Sequence, residues 1–181
     1  MIWLLAWACT DAPVADGPSP PGGVDTAIAP DDPCGARTLE IGGGTTAHRA
    51  LGDGASITMV HGAQGGWHLD VSGRANNTGA FLGIAPVVTR VSDGLQIAGE
   101  QTETFVTGEP EGECAYTFAG VRAFLDDHDP SPLTDLDFLC SLDGQLFEVE
   151  VTVNDVSSGA VLTDRRELVV YADPLDYCEL R

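Results

Sequence analysis

The stretch Leu146–Asn154, LFEVEVTVN, constrains this chain more than any other. Phe147, Val149, Val151 and Val153 alternate with Glu148, Glu150, Thr152 and Asn154. A period of two separates the sets onto opposite faces, one for a core and one for water, so the segment reads as a half-buried strand. Asp143-Gly144 and Ser158-Gly159 bracket it, and such dipeptides supply the positive φ angles of hairpin turns. The same alternation recurs upstream. Ile57 and Met59 alternate with Ser56 and Thr58, and Trp67, Leu69 and Val71 with His68, Asp70 and Ser72. Further strands are expected over Thr38–Ile41, Ala85–Val91, Leu95–Thr107, Ala115–Ala119 and Glu167–Ala172, with turns at Asp53-Gly54 and Asp93-Gly94. No amphipathic helix stands out. The expectation is an all-β fold over residues 34–181, an antiparallel β-sandwich of immunoglobulin-like arrangement, although a jelly roll or barrel would show the same pattern.

The charge balance excludes several functions. The chain of 181 residues has 28 Asp and Glu against 8 basic residues, a net charge of −20, and every basic residue is Arg. Without Lys there is no Schiff base and no phosphate-loop lysine. A surface so acidic repels the phosphate backbone whose neutralisation supplies nucleic-acid affinity, so no nucleic-acid partner is expected. It equally repels anionic headgroups, which excludes a polybasic membrane patch.

The N-terminus points to another route to the membrane. Ile2–Ala8 is an apolar run too short to span a bilayer, and Cys9 follows directly after the small residue Ala8. Residues 10–33, TDAPVADGPSPPGGVDTAIAPDDP, carry five Asp, no basic residue and no apolar period, the composition of a semi-extended linker. Together these resemble a bacterial lipoprotein signal. The resemblance implies a signal peptide over 1–8, a lipidated Cys9 and a tether over 9–33. Leu5 lies four residues before Cys9, where the usual motif has its aliphatic residue at three. A second likeness lies in Gly62-Ala63-Gln64-Gly65-Gly66-Trp67-His68, a G-x-Q-G-G-x-H corner similar to one in uncharacterised secreted bacterial lipoproteins, and it implies no activity.

Export makes the remaining cysteines readable. Cys34, Cys114, Cys140 and Cys178 are an even set in an oxidising compartment, and no C-x-x-C supports a zinc or redox motif. Of the three connectivities, the expected one is Cys34–Cys178, clasping the ends of the domain, with Cys114–Cys140 inside.

Two stretches are candidate sites. In the corner, Gly65 and Gly66 are expected to supply unusual backbone angles and Gln64 to satisfy backbone groups, with Trp67 pointing inward. Strand parity places His61 inward and His68 outward, so the two imidazoles are expected on opposite faces. The second stretch is acidic: Asp126, Asp127, Asp129, Asp135 and Asp137 gather hard oxygens of the kind Ca²⁺ prefers. It is no EF-hand, since Pro132 and Phe138 stand where that loop needs Gly and Glu. It serves either as a solvated loop or as a Ca²⁺ site. No G-x-S-x-G, H-E-x-x-H or S-x-x-K occurs. The expected function is a non-catalytic outer-membrane lipoprotein of the cell envelope that binds an envelope protein or polysaccharide. The rival is a metal-dependent envelope hydrolase using His61, His68 and the Asp126–Asp137 loop.

Overall fold

The computed structural model describes residues 32–62, 66–99, 103–126, 135–176 and 178. The strands among them are β1 Thr38–Gly43, β2 Arg49–Ala50, β3 Ser56–Thr58, β4 Val60–His61, β5 Trp67–Asn76, β6 Phe81–Arg90, β7 Gln96–Ala98, β8 Thr104–Thr107, β9 Glu109–Glu111, β10 Ala115–Phe124, β11 Gln145–Asp155 and β12 Val161–Tyr171. One short helix, α1 Leu136–Ser141, and a 3-10 turn at Pro174–Asp176 complete the set.

Two sheets face each other. The first runs β2-β1-β5-β10-β9 with β4 also on β5, and the second runs β3-β12-β11-β6-β7 with β8 also on β6. Every pairing is antiparallel except β3 with β12. The chain crosses between sheets from β2 to β3, from β3 to β4, from β5 to β6, from β8 to β9 and from β10 to β11. This is the Greek-key order of an immunoglobulin-like sandwich, the arrangement expected for residues 34–181.

The core is the inward phase of that alternation. Phe147, Val149, Val151 and Val153 of β11 are each at most 1% exposed, while their outward neighbours meet water. Leu69 and Val71 of β5, Leu82, Ile84 and Val88 of β6, and Leu168 and Val170 of β12 pack against them. Each such side chain contributes about 1.5–3 kcal/mol by leaving water.

The expected single strand over Leu95–Thr107 is a correction: two short strands, β7 and β8, occupy its ends. β8 pairs with Phe81–Ile84 of β6, and β7 with Val88 and Thr89. Pro86, which has no N–H for a ladder, falls between those two paired stretches. A continuous partner strand would have to cross it. α1 is a second departure, because six residues are too few to show a helical period.

The disulfides are also a correction. Cys34 joins Cys114 and Cys140 joins Cys178, in place of the expected Cys34–Cys178 and Cys114–Cys140. The register gives the reason. Thr38 of β1 and Ala115 of β10 both lie beside Asn76 of β5, so Cys34 and Cys114 arrive at the same end of one sheet. Cys140, within α1, and Cys178, just after the 3-10 turn, meet at the opposite end. The ten residues of β5 separate the ends by about 30 Å, far beyond disulfide reach.

At the Cys34 end, the β5–β6 turn holds the start of the domain. Asn77, with φ of 56°, receives a bond from Arg37 Nε at its carbonyl and donates from Nδ2 to Asp32 Oδ2 and the Gly35 carbonyl. Asn76 Nδ2 donates to the carbonyls of Cys34 and Ala36.

Candidate functional site

The histidine corner lies at the other end, where β4 and β5 form a hairpin. Gly62 N donates to the Gly66 carbonyl at 2.7 Å, and the register sets His61 beside Trp67 and Val60 beside His68. Gln64 and Gly65 lie outside the described residues. Gly66 keeps φ out of the left-handed region and has open space around it, so the unusual backbone angle expected there is absent.

His61 and Trp67 share one carboxylate. Asp176 Oδ2 accepts from Trp67 Nε1 at 2.8 Å, and Asp176 Oδ1 lies 2.9 Å from His61 Nδ1. The imidazole stacks on the indole with centroids 4.4 Å apart. Asp176 is 8% exposed, so these two donors take the place of water around its carboxylate. With Nδ1–H committed to the carboxylate, His61 carries its free lone pair on Nε2, and its side chain remains 39% exposed. The result is an oriented imidazole at the rim of the sandwich, able to accept a hydrogen bond at Nε2.

His68 lies on the outer face of the first sheet, as parity predicts, yet it is 3% exposed. Phe124, its cross-strand neighbour on β10, packs on the ring at 5.7 Å, and the β1–β2 connection folds over the strand. His68 Nε2 lies 3.3 Å from Asp70 Oδ1, Thr45 Oγ1 donates to Asp70 Oδ2 at 2.7 Å, and Gly44 N donates to the Asp70 carbonyl. Burial lowers the His68 pKa and outweighs the opposing pull of Asp70, so the ring is neutral and Nε2 carries the proton. His68 Nδ1 is buried without a partner. One strand step further, His48 Nδ1 meets Ser72 Oγ at 3.0 Å, and that hydroxyl donates to the Gly43 carbonyl.

The two imidazoles therefore sit on opposite faces of β5 and do not converge. No group of three or more His, Cys, Asp or Glu is placed to hold a metal among the described residues. Asp127 and Asp129 of the acidic stretch lie outside those residues. Asp135 caps α1, its side chain accepting from Asp137 N at 3.1 Å, and Asp126 N donates to the Ile97 carbonyl. Asp176 escaped the sequence reading because nothing local marks it: its partners lie 109 and 115 residues away.

No protein-family model matches this chain, and no curated protein does. Among solved structures it is similar to the CooA pilin subunit of enterotoxigenic Escherichia coli, at 13% identity over 76% of this chain and 99% of that one, with a TM-score of 0.35. It is similar to a Bacteroides uniformis β-glucuronidase at 12% identity, covering 73% of this chain but only 13% of the enzyme, also with a TM-score of 0.35. The N-terminal domain of PorA is 14% identical over 72% of this chain and 97% of that one, with a TM-score of 0.25. Likenesses this distant carry no functional argument.

The shared carboxylate has a direct test. Asp176→Ala leaves the Trp67 indole N–H buried without its acceptor, at a cost of about 1–3 kcal/mol. The indole proton resonance of Trp67 should move upfield as its charge-assisted bond is lost. An unchanged resonance would mean that the Asp176 bond is not made in solution.

Proposed function

We propose that this protein is a lipid-anchored module of the cell envelope that acts by binding or scaffolding, without catalysis. In this reading residues 1–8 are removed, Cys9 carries the acyl chains, palmitate among them, and residues 10–33 hold the sandwich off an outer membrane. The observation that carries it is the placing of Asp32 and Cys34. They are held by Asn76, Asn77 and Cys114 at one end of β5, and His61, Trp67 and Asp176 sit at the other. A tether entering at the first end presents the second end away from the membrane, about 30 Å further out. The two disulfides suit the oxidising space outside the cytoplasm. The ligand of such a module is an envelope protein or polysaccharide, and the −20 charge favours a basic or neutral one.

Cys9→Ser tests the anchor. The wild-type chain should partition with membranes and require detergent for release, whereas the variant should appear in the soluble fraction with its disulfides intact. Equal partitioning of the two chains would remove the lipid from the account.

A further inference from the structure

Beside the first sheet lies a cleft of about 210 Å³, between the β1–β2 connection, the β8–β9 turn and β10. Its origin is a break in β10: the pairing with β5 jumps between Phe118 and Val121, leaving Ala119 and Gly120 out of the ladder. Bulges of this kind open a sheet locally and re-aim its side chains. Gly120, at φ of 67°, donates its N–H to the Gly44 carbonyl, which ties the β1–β2 connection down as the opposite wall.

The lining has two characters. Ala47, Val106 and Phe118 supply apolar wall, while Thr46, Thr107 and Thr117 supply hydroxyls and Glu109 a carboxylate. Glu109 carries the one fixed charge in the lining. The imidazole of His48 also lines the cleft, where burial pulls its pKa down against the opposing charges of Glu40 and Glu111. Pockets for drug-sized ligands run to about 300–1,000 Å³, so this one is sized for a single side chain.

We infer that the cleft takes the lysine side chain of a basic partner protein, its methylenes against Ala47 and Val106 and its ammonium at Glu109 and the threonine hydroxyls. Lysine pairs an apolar stem with a compact charged head, and this lining offers both kinds of surface, with Glu109 exposed at its mouth. An anionic ligand would meet Glu109 and a net charge of −20; the same field draws a basic partner in. The chain has no lysine of its own, so a second copy cannot fill the site. The inference rests on the binding-module reading only for its biological use. It does not depend on the lipid.

The probe is Nα-acetyl-lysine methylamide, titrated into the full-length protein in detergent and followed by the amide resonances of Thr107, Thr117 and Ala119. Saturable shifts confined to the cleft are expected, with none from the norleucine analogue, which replaces the ammonium by a methyl group. Glu109→Gln should weaken the lysine probe roughly threefold to fivefold, the effect of removing one exposed partner charge. Glu113→Gln, which removes an equal exposed charge outside the lining, should leave it within twofold. Equal binding of the norleucine analogue, equal loss in both Glu variants, or tighter binding of glucosamine than of the lysine probe would each overturn the assignment. Failure of membrane partitioning in the Cys9→Ser comparison would leave these titrations unaffected, which keeps the two readings separable.

Discussion

Replacing Cys34 and Cys114 together by Ala should cost about 4.5 kcal/mol of stability, less whatever structure the unfolded chain retains. The bond spans a sequence separation of 80, and the cost follows from the conformational freedom returned to that loop on unfolding. Opening Cys140–Cys178, with a separation of 38, should cost about 3.9 kcal/mol by the same reasoning. Either loss is a large part of the 5–15 kcal/mol that typically holds a domain together. Guanidinium titration of the oxidised chain and the two double variants would give the differences directly. Peptide mapping without reductant would check the pairing itself. A Cys34–Cys178 peptide would contradict the register that brings β1 and β10 to the same end of β5.

The second large effect is expected at Asp155, the last residue of β11. Its carboxylate is 2% exposed and accepts four bonds: from Gly79 N, Ser157 N, Ser157 Oγ and Ser158 Oγ, at 2.6–3.1 Å. Burial alone would raise its pKa, but these donors outweigh burial and hold it down at about 2, against 3.8 for a free carboxyl. A folded pKa below the unfolded one means the charged form is favoured by folding. The contribution is complete above pH 3.8 and disappears as pH falls through about 2, amounting to about 2 kcal/mol. Asp155→Ala should therefore be destabilised by about 3 kcal/mol at neutral pH, where it leaves four donors short of an acceptor. The wild-type advantage should shrink in acid, most steeply between pH 4 and pH 2. A difference that stays constant across that range would mean the carboxylate is not charged and bonded as described.

The strands were legible because a half-buried sheet writes its two faces into alternate positions. Phe147 to Val153 needed no other information, and the parity that separates His61 from His68 came from the same rule. What alternation does not encode is which strand lies beside which. Cys34 meets Cys114 only because β5 stands between β1 and β10, a non-local fact that no spacing of cysteines reveals. The burial of His68 was invisible for a related reason. Outward phase predicts exposure unless another segment lies over the sheet, and here Phe124 and Thr45 do so from elsewhere in the chain. Asp176 is the extreme case: an unremarkable residue in a C-terminal turn that becomes the shared acceptor of His61 and Trp67. The cleft beside β10 depends on a bulge at Ala119-Gly120, and a glycine there is equally consistent with a regular turn.

In the proposed function the sandwich hangs from a membrane by Cys9. The measurement that reaches it most directly is the intact mass and N-terminal fragmentation of the protein purified from its native membranes. The predicted result is a chain beginning at Cys9 whose first residue carries the added mass of acyl groups, with all four remaining cysteines oxidised. A soluble mature chain that begins at another residue, or one that retains an unmodified Cys9, would contradict it.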